Sequence, residues 1–250
     1  MTRCLSILVI FLLTQVLALP AVELACHVLG ISSCPTALSA ATAIIMAAAI
    51  TAALLYRFQL IAPHAFSTAG CHLSTFGYTV LLMIPAIFFI NLLTEALHLP
   101  DTNEALFQAL ASHPMGIIAI TLAGPLAEEL TFRTALQHQL SQHMPGSNLP
   151  IFLSALIFGV IHLNPIQIPG AILFGLVLAW LYQRFGTIWI PLAAHILNNA
   201  IAAISLTLQD SRTLVDCCGG LLPTLIIAFA MAVTGLLALR RLEAMSKKGG

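Results

Sequence analysis

Two adjacent carboxylates, Glu128 and Glu129, stand with Arg133 directly after the apolar run Gly116 to Ala127. An ionisable side chain inside a bilayer is costly unless it faces a protein interior or a wet cavity, so charge at this place marks a functional candidate. On a helix, positions four apart share a face, and adjacent positions are turned by about 100°. Glu129 is therefore expected to pair with Arg133 and serve structure or orientation, while Glu128 points elsewhere. A carboxylate kept away from that cation and from bulk water suits a general base. The bland reading is a solvated helix end, because Glu-Glu-x-x-x-Arg is a common pattern.

Two further groups could do chemistry. Phe158-Gly159-Val160-Ile161-His162 closes a short apolar run, and His195-Ile196-Leu197-Asn198-Asn199 lies within another. Of nine histidines, only His162 and His195 are embedded in otherwise apolar segments. A lone histidine on an apolar face is usually a satisfied core residue, and His195 with Asn199 could equally be polar glue between helices. Set beside a carboxylate pair, the two imidazoles argue for more. His195 and Asn199, four apart, offer an imidazole and a carboxamide to the same point. At 1.5 Å per residue, His195 lies ~12 Å inside its span, His162 ~18 Å, and Glu128 roughly 9–14 Å if its helix ends near Gln137. These levels agree, so the four groups are expected to share one cavity. Such a set suits activation of water and stabilisation of a tetrahedral oxyanion.

Apolar helices must position these groups. The chain has 250 residues, 60% hydrophobic and 7% charged, with a mean hydropathy of +1.01; soluble domains run at about 45–50% apolar and about 25% charged. The composition predicts an all-α polytopic membrane bundle in contact with lipid. Runs long enough for about 20 helical residues occur near 4–20, 38–56, 76–97, 114–137, 150–163, 168–184, 187–206 and 221–239, about eight transmembrane helices. The fifth is short and ends in His162-Leu163-Asn164-Pro165, which predicts a helix stopped by Pro165 inside the protein. The first, with Arg3 ahead of Leu5 to Leu19, resembles a signal peptide; because more spans follow, it is read as the first membrane helix.

Loops are too short for a soluble domain. The expected organisation is three N-terminal spans over 1–113, a core over 114–206, and a last span with a basic tail over 207–250. A formal net charge of +0 provides no basic surface for nucleic acid. Six cysteines without paired C-x-x-C spacing make a structural zinc site unexpected. If eight spans alternate, Arg3, Arg57, Arg133, Arg184, Arg240, Arg241, Lys247 and Lys248 fall on one side and only Arg212 on the other, so both termini are expected in the cytoplasm. Loops with Cys26, Cys34, Cys217 and Cys218 would then face outward, where a disulfide can persist; free thiols are the alternative.

Taken in order, Glu128-Glu129-x-x-x-Arg133, Phe158-x-x-x-His162 and His195-x-x-x-Asn199 resemble the three motifs of the CPBP intramembrane proteases, also called type II CAAX prenyl endopeptidases or the Abi family. His162-Leu163-Asn164-Pro165, Gly175 to Tyr182, and Phe185-Gly186-Thr187-Ile188-Trp189-x-Pro191 look like bacterial members. The resemblance covers about residues 114–206. It implies a membrane-embedded endopeptidase in a bacterial inner membrane, acting on a protein or peptide substrate in the membrane. Glu128 would activate water with help from His162, His195 and Asn199 would stabilise the oxyanion, and Glu129, Arg133 and Phe158 would orient them. Eukaryotic members cleave prenylated CAAX proteins; bacterial members are linked to other peptides, bacteriocin immunity or protein maturation.

No cofactor is favoured. Zinc on Glu128, His162 and His195 is the alternative, since two histidines and a carboxylate form a catalytic zinc set, but no His-Glu-x-x-His is present. Two other classes stay open. A small proton-coupled transporter would use Glu128, His162 and His195 as a relay, although no inverted repeat is visible. A non-catalytic immunity or scaffold protein would use the same bundle.

Overall fold

The computed structural model describes residues 2–31, 35–208 and 213–247; Cys34, Arg212 and Lys248, counted above, lie outside the described residues. Every regular element among the described residues is helical, and the chain is an all-α, multi-pass membrane protein. Among the described residues seven helices are long and apolar enough to cross a bilayer: α1 (Thr2–Val28), α2 (Thr36–Arg57), α3 (Leu73–Leu97), α5 (Pro114–His143), α7 (Gln167–Phe185), α8 (Trp189–Leu208) and α10 (Leu221–Ser246). Three shorter helices join them, α4 (Glu104–Ala111), α6 (Leu149–Val160) and α9 (Leu214–Cys217).

The fifth apolar run forms α6, 12 residues long or about 18 Å, shorter than the ~30 Å of a hydrocarbon core, and it ends before Pro165 as the sequence predicts. One sequence expectation needs correction. The helix bearing the carboxylates does not stop near Gln137 but continues to His143. Gln137, His138 and Gln139 read as a loop by polarity, yet they keep helical geometry. Glu128 therefore lies fifteen residues before the helix end, about 22 Å, and Arg133 is fully buried. Arg133 is thus a core residue with no part in the charge bias of the loops.

The described chain divides into two compact units, the first from Met1–Ala65, Asn103–Pro150 and Asn199–Gln209, the second from Phe66–Thr102, Ile151–Asn198 and Asp210–Gly250. In the first, α1 packs on α2 through Ala18, Ala43 and Ala47, flanked by Val22 and Met46. Small residues allow close backbone approach where lipid supplies no hydrophobic drive between helices. A second face of α2, Ala40 and Ala41, meets Leu110, Ala119, Ile120 and Ala203. Thr14 and Thr51 hydroxyls bond across α1 and α2 at 2.6 Å. Ile7 is fully buried and the Phe11 ring meets Phe132 edge-on at 5.3 Å, so the signal-like stretch is a packed helix.

In the second unit α3 packs along α10, with Gly235 against Pro85. Glu95 accepts the Leu214 N–H at 2.8 Å, anchoring α9. α7 ends at Gly186, whose φ of 64° suits a left-handed helix stop that a side chain would disfavour. Thr187 then donates to the Ser67 carbonyl at 2.6 Å, and the Trp189 indole donates to Phe66 O at 3.3 Å, fixing the start of α8. Cys217 and Cys218 carry free thiols.

Candidate functional site

The carboxylates belong to the first unit, on α5, whose backbone leaves α-helical register on both sides of them. Ala119–Ala123 and Leu130–Gln137 are π-helical, and the Gly124 N–H reaches back five residues to the Ala119 carbonyl. The first wide turn has a local cause. Pro125 lacks an N–H, and its ring crowds the carbonyl of Thr121 four residues earlier. Around the second, the Thr131 and Thr134 hydroxyls donate to the Ala127 and Leu130 carbonyls at 2.7 and 2.6 Å, competing with backbone amides. The Thr134 carbonyl in turn accepts the Ala62 N–H at 2.9 Å. π-Turns within α-helices concentrate at functional sites; here they bracket Gly124–Glu129.

The two glutamates separate as helical spacing requires. Arg133 Nε lies 3.1 Å from Glu129 Oε2, with neither side chain exposed, whereas Glu128 is half-buried. Every residue from Glu129 to Gln137 is buried, so the ion pair sits among protein atoms and not at a solvated helix end. Asn199 belongs to the same unit. Its Nδ2 donates to the Ile120 carbonyl at 2.8 Å, inside the first π-turn, which sets the amide's orientation against the helix that carries Glu128.

The imidazoles belong to the second unit. α6 ends at Val160, so the Phe158 carbonyl is among the last acceptors of the helix, which look beyond the helix's own amides for partners. His162, two residues past the end, brings its Nδ1 to that carbonyl at 2.8 Å. A carbonyl only accepts, so Nδ1 carries the proton, and a neutral His162 presents its lone pair at Nε2. The turn that allows this passes through Leu163 at φ 53° and buried Asn164. The Asn164 amide donates to Asp101 Oδ1 at 2.7 Å and accepts the Thr102 N–H at 3.2 Å, pinning the chain before Pro165.

Phe158 links the two imidazoles. Its ring meets His162 at 4.9 Å and His195 at 5.8 Å, both edge-on, and Phe174 closes on His195 at 5.1 Å. His195 is 3% exposed. The crossing of α6 and α7 is close because two positions have no side chain. A Cβ on Gly159 would strike the Ile172 side chain and come within 2.9 Å of its backbone nitrogen; one on Gly175 would lie 3.0 Å from the Phe158 ring.

Residue type and spacing alone do not mark out Phe174, Gly159 or the Ile120 carbonyl. The glycines were available as a signal of close helix crossing, and Pro125 as a signal of a distorted turn; the Phe174 contact arises only from packing. Within either unit, no three His, Cys, Asp or Glu side chains among the described residues gather as metal ligands. A zinc set of Glu128, His162 and His195 would draw on both.

Residues 109–201 match a family model described as Rce1-like, type II CAAX prenyl endopeptidase. The candidate membrane peptidase YdiL of Bacillus subtilis (strain 168) is 28% identical over 108 residues, 42% of this chain and 42% of that protein. The chain thus spans less than half the length of the curated relative it matches. No solved structure matches the chain. The matched stretch holds α5 from its first residue to His143, the whole of α6 and α7, and both members of the His195–Asn199 pair. Over residues 109–201 the chain is therefore similar to the Rce1-like, type II CAAX prenyl endopeptidase domain.

Proposed function

We propose that the chain is a membrane endopeptidase that hydrolyses peptide bonds of a membrane-embedded or lipid-linked peptide substrate. The observation that carries the reading is the division of the glutamates. Glu129 is matched to Arg133 inside the protein, and half-buried Glu128 beside it is assigned to take a proton from water. His162, with Nδ1 committed to Phe158 O, has Nε2 to share or pass that proton. His195 and Asn199 are assigned to the developing oxyanion, His195 through an imidazole held by two aromatic rings and Asn199 through an amide whose orientation is already set. Glu129, Arg133 and Phe158 act as positioning residues. Similarity to a type II CAAX endopeptidase domain and to a candidate membrane peptidase supports the reaction class.

Water activation by Glu128 calls on no metal, and a general base of this kind contributes about 10²–10⁴-fold to rate. Wild-type and Glu128→Gln proteins, expressed at equal abundance, are compared by terminal-peptide proteomics of membrane and secreted fractions. New termini that vanish in the variant support the reading and name the substrate; equal fragments in both, or none in either, sink it. Loss of cleavage with a chelator, restored by zinc, would transfer water activation to a metal held by Glu128, His162 and His195.

The same reading assigns the chain to a bacterial inner membrane with both termini cytoplasmic, by the excess of Arg3, Arg57, Arg184, Arg240 and Arg241 on one side. That parity needs α6 and its flanks to act as an eighth crossing. Terminal reporters facing opposite sides would refute it.

A further inference from the structure

At one end of the first unit lies a cavity of about 760 Å³ that none of the proposed catalytic residues lines. Three separate parts of the chain build it. Arg3 comes from the first turn of α1, His64 from the loop after α2, and His138, Gln139, Gln142 and His143 from the last turns of α5. Each part is the end of a membrane-length helix or the loop that follows one, so the cavity occupies the level where apolar spans give way to the polar interface. The Ala62 N–H bond to Thr134 O holds the loop to α5, and His64 meets the His138 ring edge-on at 5.5 Å.

The lining is one-sided in charge. It collects a guanidinium, three of the chain's nine histidines and two carboxamides, and no aspartate or glutamate. A planar arginine fork beside imidazole N–H donors matches the oxygens of a phosphate group. Thr2 also lines the cavity, and its hydroxyl can donate to the same oxygens. The volume falls within the roughly 300–1,000 Å³ of small-molecule clefts, far more than a single water needs.

We propose that this cavity binds a phosphate group, carried either by the headgroup of an anionic phospholipid or by phosphate free in solution. The site is separate from the peptidase reading and stands without it.

The full chain, purified in detergent, is offered equimolar phosphatidylglycerol and phosphatidylcholine and examined by native mass spectrometry, with and without millimolar inorganic phosphate. The expected result is retention of phosphatidylglycerol over phosphatidylcholine by about fivefold, the scale of one interfacial basic contact. Arg3→Gln combined with His64→Gln, two exposed positions, should bring the ratio close to one, and His138→Gln serves as an independent second variant. Displacement of the lipid by inorganic phosphate identifies the phosphate oxygens as sufficient; retention despite it identifies a lipid headgroup, and either result upholds the site. Equal lipid retention in wild type and both variants, or no selectivity together with no phosphate-dependent rise in melting temperature, overturns it.

Discussion

α5 and α10 are apolar helices of similar length, 30 and 26 residues, yet 50% of the most apolar window of α5 is buried and only 11% of that of α10. Both carry arginine, glycine and threonine. In α10 these residues behave as a lipid-facing helix allows: Arg240 and Arg241 are exposed near its end, and Gly235 faces only the Pro85 ring. In α5 the same residue types are committed to partners. Arg133 is sealed against Glu129, Gly116 lies against the Leu110 backbone, and Thr131 and Thr134 turn their hydroxyls onto helix carbonyls beside a π-turn. Apolarity makes a span; commitment of its few polar groups to named partners makes a site. If that distinction is real, matched substitutions in the two helices must differ in size.

The largest contrast is expected at arginine. Arg133→Ala strands Glu129 as a buried carboxylate without its cation, a loss of about 3–5 kcal/mol for a broken buried pair. Arg240→Ala removes an exposed charge and should stay within about 0.5 kcal/mol. Reversible unfolding of both variants in mixed micelles measures the difference; equal losses would mean that the α5 pair is not sealed in the membrane.

Glycine gives a smaller contrast. A Cβ at Gly116 would fall 2.6 Å from the Leu110 carbonyl carbon and 2.7 Å from its Cα, whereas one at Gly235 meets the nearest Pro85 atom at 3.3 Å. Backbone must move in the first case and a ring can shift in the second. Gly116→Ala should cost about 1–3 kcal/mol, the range of overpacked cores, and Gly235→Ala little, because its entropic gain offsets a slight squeeze. Melting temperatures of the two variants decide it, and a Gly116→Ala protein as stable as wild type would show that α4 and α5 are not in close contact.

What was legible in the sequence follows the same division. The spans could be read because bilayer thickness imposes a length on every apolar run, and the Glu129–Arg133 pair because spacing of four survives the change of helical register. The fate of the fifth run was half legible: Pro165 signalled a stop, but the end at Val160 and the use of the His162 ring to satisfy Phe158 O depend on the turn at Leu163. The extension of α5 to His143 was hidden, since Gln137 to His143 look like a loop by polarity and stay helical while lining a polar cavity. The edge-on seat of His195 between Phe158 and Phe174 was not legible at all, because contacts between helices leave no trace in spacing along one of them.

Threonine provides the smallest and most specific contrast. Thr134 is fully buried and donates to Leu130 O at 2.6 Å inside the second π-turn; Thr234 donates to Ala230 O at 2.9 Å in α10. Valine has nearly the same shape as threonine and lacks the hydroxyl, so each substitution removes one bond of the same kind. In α10 the carbonyl keeps its ordinary helical amide partner, and Thr234→Val should be neutral within about 0.5 kcal/mol. In α5 the wide turn has moved the amides out of register, so the hydroxyl is part of how the carbonyl is satisfied, and Thr134→Val should cost about 1 kcal/mol. Because Arg133 is the neighbouring residue, a turn that tightens without the hydroxyl also rotates the arginine away from Glu129. A double-mutant cycle of Thr134→Val with Glu129→Gln should therefore show coupling. Additive losses would mean that the π-turn is set by packing alone, and that the threonine hydroxyl follows the turn without sustaining it.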